Sequence, residues 1–212
     1  MRIIARFSKM DNARFISHLD TQRVLQRALR RAKLPVAYSS GFNPHPLLSF
    51  VLALPVGMQS DSEYMDITMQ QDISPDAFIS AMNAVLPKGF YIHEAHAVEN
   101  SYPSLTKRVM AASYTAVFDD PTGVEDKIRL FLEKDSVKVM KKGKGGLREL
   151  DIRPLVYHLE LKNDTLYMLL ASSSSDILMP ALLLRTLLKD DHGAQVTRTG
   201  LYASRSSREA LF

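Results

Sequence analysis

Two histidines and one aspartate lie in the stretch from Ser17 to Pro46, which holds the scarcest polar chemistry of the chain. His18 and Asp20 fall in the first turn of a predicted helix, and His45 lies in the loop that follows. Two histidines and a carboxylate form a ligand type for Zn²⁺ or Fe²⁺, and a helix N-terminus favours the neutral imidazole that a base or ligand needs. In the alternative interpretation His18 and Asp20 cap the helix and His45 bonds a backbone carbonyl. Their spacing matches no recognised metal motif, so we expect no metal and no other cofactor.

Four arginines form a stripe along the same predicted helix, opposite an apolar side. With about 100° of rotation per residue, the stripe consists of Arg23, Arg27, Arg30 and Arg31. Guanidinium groups one helical turn apart match successive phosphates and bind them bidentately. Neutralising about four phosphates of a single strand gives a log–log salt slope near −3. The alternative is a basic helix face that contacts only solvent.

The loop after the helix, G-F-N-P-H-P, is stiffened by Pro44 and Pro46. Each proline fixes φ, so the loop loses little entropy when it binds a ligand. Phe42 has an aromatic face on which an unpaired base can stack. We therefore expect Phe42, Asn43 and His45 to contact the recognised base or partner.

A second basic segment, K-K-G-K-G-G at 141–146, contributes Lys141, Lys142 and Lys144. It lacks the spacing of a phosphate-binding P-loop and no helix start follows it, which argues against nucleotide hydrolysis. We interpret it as a mobile basic loop that contacts a nucleic-acid backbone, with a disordered surface loop as the alternative.

The helix and strand patterns of the first half predict a ferredoxin-like βαββαβ unit. Ser17 is a predicted N-cap and Pro35 ends the first helix, while Ser74 and Pro75 begin the second. The period-two and continuous apolar runs predict strands at 2–8, 47–54, 63–70 and 90–98.

A similar order of elements follows a linker-like segment. Predicted helices lie at 124–132 and 177–188, and predicted strands at 112–118, 137–140, 155–161, 166–171 and 194–203. We therefore expect an α+β protein of tandem ferredoxin-like halves, with antiparallel sheets and helices on one face. The predicted domains are 1–100 and 111–212, joined by a linker at 101–110. The alternative is one mixed sheet with helices on one face.

Composition excludes several classes of protein. The chain has no cysteine, which removes disulfides, thiolate metal sites, cysteine nucleophiles and cysteine-bound iron–sulfur clusters. No apolar run approaches the length of a membrane span, and the N-terminus has no secretory pattern, so we expect a cytoplasmic protein. The net charge is only +4, but residues 2–33 carry nine Lys or Arg against two Asp. This concentration of charge is typical of proteins that bind polyanions.

Five runs in the first hundred residues resemble the radical-SAM-linked protein family, a bacterial domain of unknown function. The runs are R-F-I-S-H-L-D (14–20), R-A-L-R-R-A-K-L-P-V-A-Y-S (27–39), G-F-N-P-H-P (41–46), P-V-G (55–57) and E-Y-M-D (63–66). The resemblance implies a partner, because members are fused to or encoded beside a radical S-adenosylmethionine enzyme. This chain has no cysteine to hold such an enzyme's cluster, so it is not one itself.

These observations favour a non-catalytic accessory protein that binds RNA and presents it to a separate radical S-adenosylmethionine enzyme. One alternative is a metal-independent endoribonuclease in which His18 or His45 acts as the general acid–base. Another is a protein-docking module whose arginine stripe and loop contact an acidic patch of the radical enzyme. The sequence leaves these alternatives and the oligomeric state open.

Overall fold

The computed structural model describes residues 1–143, 146–188, 194–206 and 209–212, with the side chains of all of these except Lys142 and Gly143. The chain divides into two compact units, Met1–Thr106 and Lys107–Phe212. The division falls inside the segment 101–110 that the sequence assigns to a linker.

Unit 1 follows the order strand, helix, strand, strand, helix, strand. Its elements are β1 (Arg2–Lys9), α1 (His18–Arg31), β2 (Leu48–Phe50), β3 (Gln59–Thr68), α2 (Pro75–Asn83) and β4 (Phe90–Val98), with a 3₁₀ helix at Asp11–Phe15 before α1. The strands lie in the order β4-β1-β3-β2 and every neighbouring pair is antiparallel. The predicted combination of helices with an antiparallel sheet is therefore confirmed in this unit.

The core of unit 1 forms between the sheet and its two helices. Alternate residues of β1, Ile3, Ala5 and Phe7, are buried in one cluster with residues of α1 and α2. From the helices the cluster receives Leu25, Ala28, Leu29, Phe78 and Met82. These helix positions recur every three or four residues, as an apolar stripe of an α-helix requires.

The predicted strand at 47–54 is much shorter than expected. Only Leu48–Phe50 is extended, and β2 pairs with β3 alone, so it is an edge strand. Its middle residue, Ser49, is exposed, which shows that the apolar run is not buried on both faces. A continuous apolar run occurs both in buried strands and in bent backbone, so the sequence pattern alone did not distinguish a strand from a bend.

The hairpin partner of β2 is longer than predicted. β3 begins at Gln59, four residues before the predicted start, and Ser60 pairs with Lys9 of β1. Ser60 and Ser62 are buried despite their polar side chains. Because these small polar residues break the apolar alternation, the sequence pattern gave no sign of the first four residues of this strand.

In its described ranges, unit 2 contains four antiparallel sheet strands, two helices and a separate hairpin. Its described elements are β5 (Ala111–Val117), α3 (Val124–Leu132), β6 (Lys138–Gly143), β7 (Gly146–Asp151), β8 (Val156–Lys162), β9 (Thr165–Ala171), α4 (Pro180–Leu188) and β10 (Gln195–Tyr202), with 3₁₀ helices at Leu105–Lys107, which spans the division between the units, and at Arg153–Leu155. The sheet order is β10-β5-β9-β8, with antiparallel neighbours, and β6 pairs with β7.

Two predictions in unit 2 are corrected. The segment 141–146 is not simply a loop, because Lys141 lies in β6 and pairs with Arg148 of β7. The helix predicted from residue 177 begins at Pro180, and Ile177 forms a β-bridge with Ser172. Proline suits the first helical position, where its missing N–H has no intrahelical partner, so it marks the helix start better than the apolar run does.

None of the helices in the described ranges is both long enough and apolar enough to cross a membrane. The longest, α1, has 14 residues and an exposed arginine face.

Candidate nucleic-acid interface

The start of α1 is fixed by a side-chain cap. Ser17 Oγ accepts a hydrogen bond from the Asp20 backbone N–H at 3.1 Å and donates one to Asp20 Oδ2 at 2.7 Å. The hydrogen bond from Ser17, followed by that from Arg23, lowers the pKa of Asp20. Asp20 therefore takes part in the helix cap and in an ion pair, which agrees with the alternative interpretation that it caps the helix.

All four residues of the arginine stripe are exposed, but two of them are occupied. Arg23 Nη1 lies 2.8 Å from Asp20 Oδ1, and Arg31 Nη2 donates to the Val85 carbonyl at 2.8 Å. Arg27 and Arg30 form no hydrogen bond or ion pair with another described residue. The structure thus presents two uncommitted guanidinium groups one helical turn apart.

Two exposed apolar side chains lie at the start of α1 and just before it, and the sequence analysis missed them. Leu19 lies one turn before Arg23 on the same side of α1 and is exposed. Phe15, in the 3₁₀ helix, is also exposed, and the Arg14 guanidinium lies 4.6 Å from its ring centroid. The spacing of four residues from Leu19 to Arg23 to Arg27 was the signal that placed Leu19 on this face.

The loop that follows α1 is held as a small hairpin. Tyr38 forms a β-bridge with Pro46, and the Ser39 N–H donates to the His45 carbonyl at 2.9 Å. Phe42, at the tip, is fully exposed, and the neighbouring Asn43 is exposed as well. The predicted contact residues of the loop therefore lie on a braced turn.

His45 is oriented by Ser39. The Ser39 hydroxyl accepts a hydrogen bond from the His45 backbone N–H at 3.1 Å and lies 3.0 Å from Nδ1 of the ring. Nδ1 also lies 3.5 Å from the Asn43 carbonyl oxygen, so both side-chain contacts of the ring are made through Nδ1. Nε2 of the ring forms no hydrogen bond with another described residue.

His45 lines a groove of about 540 Å³ that we call the His45 groove. Its walls come from α1, from the loop and from β1 to β3, and the lining includes Arg2, Gln22, Ser49, Asp66 and Thr68. The Arg2 guanidinium forms a bidentate pair with Asp66 and also donates to the carbonyls of Asn100 and Tyr102. Its hydrogen bond with Asp66 raises the pKa of Arg2, and the ion pair joins the two charged side chains of the groove.

His18 lies in a different cavity. Its ring packs edge-on against Phe50, with 5.2 Å between centroids, and the cavity is also lined by Lys9, Thr21 and Glu63. His18 and His45 therefore line separate cavities. Among the residues that the structure describes, no three His, Asp or Glu side chains are grouped to hold a metal, so the alternative set His18, Asp20 and His45 is not assembled.

Lys9 is a buried cation that the sequence analysis counted with the basic surface. Its side chain is 2 % exposed and Nζ donates to the Ile16 carbonyl at 2.7 Å. Burial lowers the pKa of Lys9, against the opposing effect of the nearby Glu63 carboxylate. Lys9 therefore holds the segment that leads into α1 and is unavailable to a polyanion.

The basic segment of unit 2 is less available than predicted. Lys141 Nζ donates to the Ile177 carbonyl at 3.4 Å, and Lys138 pairs with Glu149 at 3.0 Å. The Lys142 side chain and Lys144 lie outside the described residues. No described lysine of this hairpin supports the predicted contact with a nucleic-acid backbone.

Comparison with known proteins yields one match to a family and no match to a protein with curated annotation. The family is described as an uncharacterized protein conserved in bacteria (DUF2344), and its model matches residues 2–180. The match spans all of unit 1, including the arginine stripe and the His45 groove, and most of unit 2. The chain therefore belongs to this family of bacterial proteins.

Proposed function

We propose that this protein is a non-catalytic, cytoplasmic RNA-binding protein that presents RNA to a separate radical S-adenosylmethionine enzyme. The observation that carries the RNA-binding part is the pair of exposed, uncommitted guanidinium groups of Arg27 and Arg30. Exposed Phe42 supplies a stacking face within the same unit.

The electrostatics of α1 support a phosphate backbone as the ligand. Arg27 and Arg30 are three residues apart, so their guanidinium groups emerge on the same side of the helix. Each guanidinium can contact a phosphate bidentately through its planar fork of N–H donors. A single-stranded ligand also suits an exposed aromatic residue, because unpaired bases stack on aromatic faces.

We further interpret each unit as ferredoxin-like. In both units the strand that comes last in the unit lies beside the first, and the sheet order supports this interpretation. RRM domains share that frame and bind RNA through aromatic residues of the sheet. Since the RRM sequence pattern is absent here, we assign RNA binding to α1 and the loop instead of to an RRM surface.

The radical enzyme as partner rests on the resemblance of the first hundred residues. Those runs include the two segments that bear the arginine stripe and His45. An accessory role fits a chain without cysteine, because the enzyme's cluster then comes from the partner.

A double charge reversal tests the assignment of the stripe. The variant Arg27→Glu with Arg30→Glu is expected to weaken binding to bulk cellular RNA by more than about tenfold, because two phosphate contacts are lost and replaced by repulsion. The matched control, Lys107→Glu with Lys134→Glu, makes the same change in net charge at two exposed positions of unit 2. Filter binding at fixed salt measures both.

If the control variant loses as much affinity as the stripe variant, only net charge matters and the stripe assignment is wrong. If wild-type protein binds no RNA at low salt, the stripe would become a docking surface for an acidic patch of the radical enzyme. The corresponding observation is a complex on size exclusion that survives nuclease treatment.

The endoribonuclease alternative needs one histidine, His18 or His45, as the general acid–base. Because the two line separate cavities, only one of them would serve a given site. This alternative requires cleavage of labelled RNA in EDTA that is abolished by His45→Ala.

A further inference from the structure

The His45 groove offers unpaired hydrogen-bonding groups but no unpaired charge. The amide of Gln22 and the hydroxyl groups of Ser49 and Thr68 line it and make no hydrogen bond with another described residue. Its charged residues, Arg2 and Asp66, are bonded to each other. A ligand that enters the groove therefore meets neutral donors and acceptors.

We propose that this groove takes up one unpaired nucleobase of the bound RNA. The inference rests on the proposed function and deepens it, because it assigns the base to a place distinct from the phosphate contacts on Arg27 and Arg30. A nucleobase is uncharged and carries both donors and acceptors on its edges. A phosphate would find no free cation here, since the Arg2 guanidinium makes four hydrogen bonds to Asp66, Asn100 and Tyr102.

The lining and the volume of the groove suit a nucleobase. Pro46 and Leu47 add an apolar wall beside the polar groups, and small-molecule sites combine apolar walls with a few placed polar groups in about 300–1,000 Å³. The groove, at about 540 Å³, lies in that range. The His45 ring, held by the contact of Nδ1 with Ser39, adds a further polar group, Nε2, to the lining.

The position of the groove also matches a strand of RNA held on the stripe. Gln22 precedes Arg23 on α1, and His45 follows Phe42 in the braced loop. The groove therefore lies between the two elements that we assign to the backbone and to stacking. A base in the groove and phosphates on the helix require the base to be unstacked, which single-stranded RNA allows and a duplex does not.

The test is Gln22→Leu, which keeps the size of the side chain and removes its hydrogen bonds. We expect the variant to bind a short labelled single-stranded RNA about 2- to 10-fold more weakly, the range for loss of one neutral hydrogen bond. Because no charge changes, the loss is the same at about 50 and about 200 mM salt. Binding of the fully paired duplex of the same sequence is expected to be unchanged.

The matched control is Gln26→Leu, the same substitution one turn later on α1 and outside the groove, and it is expected to leave affinity unchanged. The groove assignment is overturned if wild type binds the single strand and Gln22→Leu binds it equally well, or if both leucine variants lose affinity alike. If wild type binds no RNA at low salt, the proposed function fails and the groove assignment fails with it.

Discussion

Lys9 shows how one residue's surroundings reverse the role that its type suggests. Three groups that titrate, Lys9, Glu63 and His18, line one small cavity under the start of α1. Lys9 and Glu63 are both buried, and the Lys9 ammonium is held by the Ile16 carbonyl just before the helix. The charge thus supports the segment that leads into the arginine helix.

The lowered pKa of Lys9 has a consequence for stability. Between the lowered pKa of the folded chain and the ordinary value of 10.5, the unfolded chain binds more protons than the folded chain, so the free energy of unfolding rises with pH in that interval. The slope reaches at most about 1.4 kcal/mol per pH unit. Lys9→Met removes this group while keeping a long side chain.

We expect the free energy of unfolding of wild type, relative to Lys9→Met, to increase from about pH 7 to about pH 10. Urea titrations at several pH values measure the difference, in which titrating groups other than Lys9 and its neighbour Glu63 cancel. A difference that is constant, or that falls with pH, would contradict a lowered pKa of Lys9.

At the scale of residues, the sequence predicted that basic side chains are concentrated in this region, but not which of them are free to contact a ligand. The nine basic residues between 2 and 33 include Arg2, Arg6 and Lys9, which are committed to Asp66, to Glu94 and to the interior. The partners of Arg2 and Arg6 lie more than fifty residues away in the chain. Periodicity within one element therefore carried no information about these ion pairs. Only the helix face, set by a local period, was predictable.

At the scale of elements, a glycine turn after α2 fixes the segment that enters α1. Gly89 has φ +92°, and a Cβ there would lie 2.8 Å from the Met10 carbonyl oxygen and 2.9 Å from Ala13 Cβ. The same turn accepts a hydrogen bond from the Met10 N–H at 2.8 Å. The close approach and the positive φ both require glycine at this position.

Gly89→Ala is therefore expected to cost more than a positive φ alone. Gly57 is a matched control in the same unit, since it has φ +89° and open space where a Cβ would lie. We expect Gly57→Ala to lower the free energy of unfolding by about 1–2 kcal/mol and Gly89→Ala by about 1–3 kcal/mol more, because of overpacking. Urea denaturation measures both, and equal losses would contradict the close approach.

Element boundaries were predictable where a cap or proline marks them, as at Ser17, Ser74 and the strand Phe90–Val98. They failed where the signal was apolar content alone, as in β2, or where buried serines hid a strand, as in β3. The His45 groove was beyond prediction because it joins Arg2, Gln22, His45 and Asp66, and these meet only once the sheet order is known.

At the scale of the whole molecule, both units follow the same order of strands and helices, with an added hairpin in unit 2. The features that we assign to RNA lie in unit 1, and the described lysines of the unit 2 hairpin are bonded within the protein. We therefore expect the salt dependence of RNA binding to come from α1 and not from the hairpin.

The most direct test is the affinity for single-stranded RNA measured from about 50 to about 200 mM salt. We predict a log–log slope between about −2 and −3 for wild type, since Arg23 and Arg31 are partly committed, and a slope at least about one unit shallower for Arg27→Glu with Arg30→Glu. A wild-type slope near zero, or a slope that the double reversal leaves unchanged, would contradict the assignment of RNA phosphates to the arginine stripe.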